Sequence, residues 1–304
     1  MLNLKSFSIA LGLSFSLLVT GCGNEEESQD NGNVGEDTTN LGEDLEYTIT
    51  GIEPGAGTTT LARNTLKEYK NLEGWKLLEG STAGMLTELG EAIDNKEPII
   101  VTGWTPHWKF ASYDLKFLKD PKGTFGGTEN INTITRKGLK EDMPNAYKIL
   151  DRFHWKPEDM QAVMLDARDS SFEDAASNWI EENQDKVDKW TEGVEKVDGK
   201  AIELVSTPWD TERSSGNVMK AVLEQQGYDV TLTPVDPAIM FQAVANAEAD
   251  ASLAPWLPVT HGSFYEKYQE DIVDLGENLT GAKIGMVVPQ YMKIDSIEDL
   301  KPKE

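Results

Sequence analysis

Asp250-Ala251-Ser252-Leu253-Ala254-Pro255-Trp256-Leu257-Pro258-Val259-Thr260-His261 reads as a short β-run that ends in Trp-x-Pro with a His close behind. Pro98-Ile99-Ile100-Val101-Thr102-Gly103-Trp104-Thr105-Pro106-His107-Trp108 does the same in the first half of the chain. Upstream of each, the same grammar repeats. Before the first lie a strand over 47–52, the turn Glu53-Pro54-Gly55-Ala56-Gly57, a helix over about 59–69, a strand over 75–78 and a helix over 82–93, with the third strand at 98–102. Before the second lie a strand over 201–205, then Thr207-Pro208-Trp209-Asp210, a helix over about 215–226 stopped by Gly227, a strand over 229–232 and a helix over 237–247. Alternation of this kind builds parallel sheets whose loops at the strands' carboxyl ends bind ligands. The predicted fold class is therefore α/β, in two lobes. Trp104, Trp209 and Trp256 fall just past predicted strand ends, at the ligand edge.

Length and charge bound the rest. The 304 residues can bury a sizeable core, in one large domain or two medium ones. With 28 Lys and Arg against 53 Asp and Glu, the net charge is −25, which argues against nucleic-acid binding. One Cys excludes a disulfide framework and a Cys-based zinc site. The three His (His107, His154, His261) form no metal-ligand pair, and Gly80-Ser81-Thr82-Ala83-Gly84 is not a nucleophile elbow. No residue set asks for catalysis, a metal or a cofactor.

The lone Cys has a telling position. Lys5 precedes an apolar run from Phe7 to Val19, followed by Val19-Thr20-Gly21-Cys22. The run has the length of a secretory signal and is short for a membrane span. Its end resembles a bacterial lipobox, so residues 1–21 read as a lipoprotein signal peptide and Cys22 as the lipidated residue. Residues 23–46 hold nine acids and no base, a composition expected to be a disordered tether. The expected location is the extracytoplasmic face of the cell membrane, anchored by lipid alone.

A large ring at a strand's carboxyl end either seals its lobe or faces the cleft. Likewise, the Gly51–Thr58 turn is either a plain strand-to-helix connection or a backbone nest for an anion at a helix start. Taken together these features point one way. Converging indole faces suit a quaternary ammonium, which is weakly hydrated and donates no hydrogen bond. Three such contacts supply at most about 6 kcal/mol, short of the roughly 8 kcal/mol of micromolar binding. Apolar contact and a polar anchor must add the rest: a carboxylate held at Gly57-Thr58, and a donor at His261. Cation cage plus anion nest describes a betaine.

Several segments then carry a family resemblance. Gly51-Ile52-Glu53-Pro54-Gly55-Ala56-Gly57, Val101-Thr102-Gly103-Trp104-Thr105-Pro106-His107-Trp108, Leu118-Lys119-Asp120-Pro121-Lys122-Gly123, Trp256-Leu257-Pro258-x-Thr260-His261 and Gly281-Ala282-Lys283-Ile284-Gly285-Met286-Val287-Val288-Pro289 resemble the glycine betaine-binding lipoproteins of ABC importers, most closely the OpuA-type binding subunit. The likeness covers roughly residues 47–304. It implies a type II periplasmic-binding-protein-like fold with the ligand between lobes, the cage at Trp104, Trp209 and Trp256, carboxylate-binding amides at Gly57 and Thr58, and a polar contact from His261. Lobe 1 is expected at 47–125 plus 283–304. Lobe 2 takes 126–282, including a helical middle at about 126–195. The implied partners are glycine betaine (alternatively choline, carnitine or proline betaine) and the permease subunits of an ABC transporter, with the protein itself a monomer. Glu53 stands where Asp is common in the family, and Pro208 and Pro255 precede two of the Trp residues.

Overall fold

The computed structural model describes residues 41–304. The readings that fall on residues 1–40, including the signal peptide and Cys22, lie outside the described residues. The expected tether does not run to residue 46. A short helix, α1 (Leu41–Asp44), forms there, Leu45 is buried behind it, and Tyr47 packs edge-on against Trp75 with ring centroids 5.6 Å apart. Leu41, Leu45 and Tyr47 are apolar punctuation in an acidic stretch, and their burial anchors it.

The first half then runs β1 (Thr48–Thr50), α2 (Gly57–Glu68), β2 (Lys76–Leu78), α3 (Thr82–Asn95) and β3 (Val101–Thr105). It continues with α4 (Lys109–Ser112), β4 (Leu115–Phe117) and β5 (Thr128–Arg136). Five helices follow: α5 (Leu139–Asp142), α6 (Pro144–Arg152), α7 (Pro157–Asp166), α8 (Phe172–Glu182) and α9 (Gln184–Thr191). The second half has β6 (Lys200–Ser206), α10 (Asp210–Gln225), β7 (Tyr228–Pro234), α11 (Pro237–Ala245), β8 (Ala251–Ser252), β9 (Trp256–Leu257), α12 (Gly262–Tyr268) and the long β10 (Ile272–Pro289).

All ten strands join one mixed sheet, whose main path is β2-β1-β3-β10-β5-β8-β6-β7. Each flank is a parallel trio, β2-β1-β3 on one side and β8-β6-β7 on the other. Between them β10 and β5 run antiparallel, and β10 serves both sides. Its residues from Ile272 pair with β5, while Lys283–Val287 pair with β3 and Val287–Pro289 with β4. Three register shifts bend the β10–β5 ladder, and Gly276 and Gly281 lie in the left-handed region with φ of 91° and 86°. That is a conformation other residues adopt only at a cost.

Sequence reading and structure part at four elements. β3 extends to Thr105, so Trp104 lies within the strand and not past it, because β10 supplies a pairing partner as far as Thr105. Trp256 likewise sits in a two-residue strand paired with Ile131 of β5. The expected helical middle at 126–195 begins instead with β5 (Thr128–Arg136), which pairs with β10 and becomes continuously buried over 133–135. Finally α10 starts at Asp210, five residues ahead of the expected 215. Asp210 and Glu212 in its first turn favour the positive end of the helix dipole. Helix α10 does end before Gly227, whose φ is 90° and where a Cβ would sit 1.9 Å from the Val197 carbonyl oxygen.

Helices α7 and α8 pack on α10, so the helical region rides on the second parallel trio. The main core runs through both flanks, from Ile49 and Val101 to Leu204 and Val222. A smaller cluster (Ile134, Val205, Met240, Phe241, Val244) fixes α11 on the β5–β8–β6 side. Among the described residues no helix is long and apolar enough to cross a membrane.

Candidate functional site

The carboxyl ends of both trios open on one small cavity. All six residues singled out in the sequence line it: Trp104, Trp209, Trp256, Gly57, Thr58 and His261. Ile52, Ala56 and Ile284 add apolar wall, while Thr211, Glu212 and Thr260 add polar groups the sequence reading did not single out.

Two of the indoles are held by a carboxyl at the ring N–H and the third by a buried lysine. Trp104 projects from β3; the buried Lys109 donates through Nζ to the Trp104 carbonyl oxygen at 3.3 Å and lies 4.0 Å from its ring centroid. Burial pushes the Lys109 ammonium well below its ordinary range, with Asp210 working against the shift. The His107 ring meets Trp104 edge-on at 5.0 Å. Trp209 immediately precedes α10 and donates through Nε1 to Glu53 at 3.1 Å. Trp256, on β9, donates through Nε1 to Glu212 at 2.7 Å. Trp108 stands apart from the cavity lining; its Nε1 donates to Asp210 at 2.9 Å and the Arg168 guanidinium lies 4.1 Å from its ring centroid.

The two carboxyls behind the indoles have contrasting electrostatics. Burial raises Glu53, but hydrogen bonds from the Thr82 N–H, the Trp209 indole and the Thr82 hydroxyl outweigh it and hold the carboxyl below its usual range. Glu212 is wholly buried, and desolvation pushes it up to about 7 against the bonds from Thr211 and Trp256.

In the same lining, α2 begins at Gly57 with no side chain capping it, so its first amides are left for a ligand or water. The loop 258–261 closes onto this helix start. A Cβ at Gly57 would lie 2.5 Å from the Thr260 carbonyl oxygen, so only glycine permits the approach. Glu129, buried on β5, holds the loop by accepting from the Val259 and Thr260 N–H groups at 2.8 Å each, and from the Thr260 hydroxyl.

His261 is buried, and its Nδ1 accepts from the Trp256 N–H at 3.0 Å. Burial pushes it down to about 4, so the imidazole is neutral and its proton resides on Nε2. It therefore has one ring donor to offer. Among the described residues no group of three or more His, Cys, Asp or Glu could hold a metal ion.

A mixed α/β fold whose single sheet brings aromatic rings and a helix start to one small cavity is that of a solute-binding protein of the type II periplasmic class. The chain belongs to the family of substrate-binding domains of ABC-type glycine betaine transport systems, whose model matches residues 29–182 and 200–304. It is 52% identical over 264 residues to the glycine betaine/carnitine transport binding protein GbuC of Listeria monocytogenes serotype 1/2a (strain 10403S), covering 86% of this chain and 88% of that protein. Lactococcal OpuAC, crystallised closed with glycine betaine, is 55% identical with a TM-score of 0.47, over 48% of this chain and 58% of that one. A glycine betaine/L-proline-binding protein (ProX) from Borrelia burgdorferi is 33% identical with a TM-score of 0.45, over 49% and 57% of the two chains. The family comprises the binding components of transporters, not enzymes.

Proposed function

We propose that this protein captures glycine betaine in the cavity between its lobes and delivers it to the permease of an ABC importer. One observation carries the reading: three indoles and an uncapped helix start line the same small cavity. Trp104, Trp209 and Trp256 surround the trimethylammonium group, which each ring face attracts by roughly 0.5–2 kcal/mol when desolvated. The amides of Gly57 and Thr58 receive the carboxylate, aided by the positive end of the α2 dipole. His261 donates through Nε2. A carnitine ligand shares both charged groups, and the name of the Listeria relative favours it as a second substrate.

The lobes are taken as residues 47–125 plus 283–304 and residues 126–282, with β5 and β10 running between them. Ligand touching both lobes favours the closed arrangement over the open one, which couples capture to delivery. Lipidation of Cys22 tethers the protein, a monomer, outside the membrane beside its permease.

A fluorescence titration against glycine betaine, carnitine, choline and proline betaine tests the ligand class. Glycine betaine is expected to change the Trp emission saturably and at the lowest concentration. A response to choline alone, which has no carboxylate, would overturn the assignment of Gly57 and Thr58.

A further inference from the structure

Two of the three cage indoles make the same unusual bond. Trp209 and Trp256 each send the N–H to a carboxylate, Glu53 at 3.1 Å and Glu212 at 2.7 Å. Among the described residues neither carboxylate has a Lys, Arg or His within ion-pair distance; their other partners are Thr82 and Thr211. Burying a carboxyl without a countercharge is costly, and an amide side chain would satisfy an indole N–H as well. What a carboxylate adds is charge, which Glu53 carries through the neutral range and Glu212 carries above about pH 7. A charge-assisted bond draws the indole proton toward the oxygen and leaves the ring richer in electrons, so its face attracts a cation more strongly.

We propose that Glu53 and Glu212 are positioning residues that charge the cage through the Trp209 and Trp256 indole N–H groups, and so set its preference for a quaternary ammonium over a neutral group of the same shape. The inference rests on the reading of the cavity as a betaine site. Glu212 also lines the cavity and adds its own field there, whereas Glu53 acts through the ring alone. Trp104 has Lys109 against its ring instead, so the charging is confined to two walls of the cage.

The test compares glycine betaine with 3,3-dimethylbutyrate, which keeps the carboxylate but replaces trimethylammonium by neutral tert-butyl. Both are titrated calorimetrically at about pH 8.5, where both carboxyls are ionised, directly and in competition, into the full chain, Glu53→Gln and Glu212→Gln. Each substitution is expected to weaken glycine betaine at least about threefold while moving 3,3-dimethylbutyrate less than about twofold. Glu129→Gln is the control, since Glu129 holds the 258–261 loop and accepts from Val259 and Thr260 rather than from an indole; it should move both ligands by the same factor. Equal losses for both ligands in Glu53→Gln and Glu212→Gln, or no loss, would overturn the proposal. A parent protein that fails to prefer glycine betaine over the neutral isostere would instead refute the cage reading itself. Should a Gln variant not fold, the parent's indole N–H resonances decide: those of Trp209 and Trp256 are expected downfield of the others, and ordinary positions for both would refute the charged bonds.

Discussion

Trp256 joins more of the site than any other side chain. Its ring lines the cavity, its Nε1 binds Glu212, and its backbone N–H fixes the His261 tautomer. Trp256→Ala is therefore expected to weaken glycine betaine at least roughly tenfold, the equivalent of about 1.4 kcal/mol. Trp190, buried between Phe153 and Trp179 away from the cavity, should leave affinity nearly unchanged when truncated, although stability will fall. The buried titratable pair makes a second prediction. His261 is pushed from about 6.5 down to about 4, so the unfolded chain binds more protons over that range; its contribution to stability is complete above 6.5 and is lost as pH falls. Glu212 is pushed from 4.5 up to about 7, so the folded chain binds more protons there, and its contribution is lost as pH rises from 4.5 to 7. The two slopes oppose each other, each at up to about 1.4 kcal/mol per pH unit. Relative to the parent, Glu212→Gln should gain stability progressively between pH 4.5 and 7 in denaturant melts. A difference independent of pH would show that Glu212 does not titrate in that window. The three cavity Trp residues were legible because each sits within two residues of a Pro near a strand end. Glu212 was not, being one acid among 53 whose partner lies 44 positions away.

At the scale of elements, the approach of α2 to the 258–261 loop shapes the part of the cavity proposed to receive the carboxylate. Gly57→Ala pushes a methyl group against the Thr260 carbonyl, so the helix start or the loop must shift. Overpacking of this kind costs roughly 1–3 kcal/mol, and a carboxylate-bearing ligand should suffer more than tetramethylammonium, which has no use for the helix start. Parallel titrations with the two ligands check this; equal losses would mean that Gly57 serves only folding. The Gly-rich turn into α2 was readable from the sequence, since glycine and an unprotected helix start are local features. The reach of β10 was not. Gly276 and Gly281 break its hydrophobic pattern, and the ladder continues only because β5 tolerates the register shifts. The start of α10 escaped for a related reason: Thr207-Pro208-Trp209 reads as a loop, and the first helical turn is polar.

For the whole molecule, the sheet is the functional frame. Both parallel trios aim their carboxyl ends at one cavity, and β5 and β10 are the strands that lie between the trios. A ligand that bonds to groups from both sides stabilises the folded, closed chain by mass action: about 2.7 kcal/mol at a hundred times its Kd. For a chain of this size that corresponds to a rise in Tm of roughly 5 °C, measurable by thermal scanning with glycine betaine and absent in a variant lacking two cage rings. The α/β class and the two parallel trios followed from the repeated strand–helix grammar, whereas the sharing of β10 between the halves needed long-range pairing that no local pattern encodes. The most direct test of the central claim is calorimetric titration of the intact protein with glycine betaine. The account predicts saturable one-to-one binding, weakened in Trp256→Ala and preserved in Trp190→Ala. Absence of binding at millimolar glycine betaine, in protein shown to be folded, would contradict it.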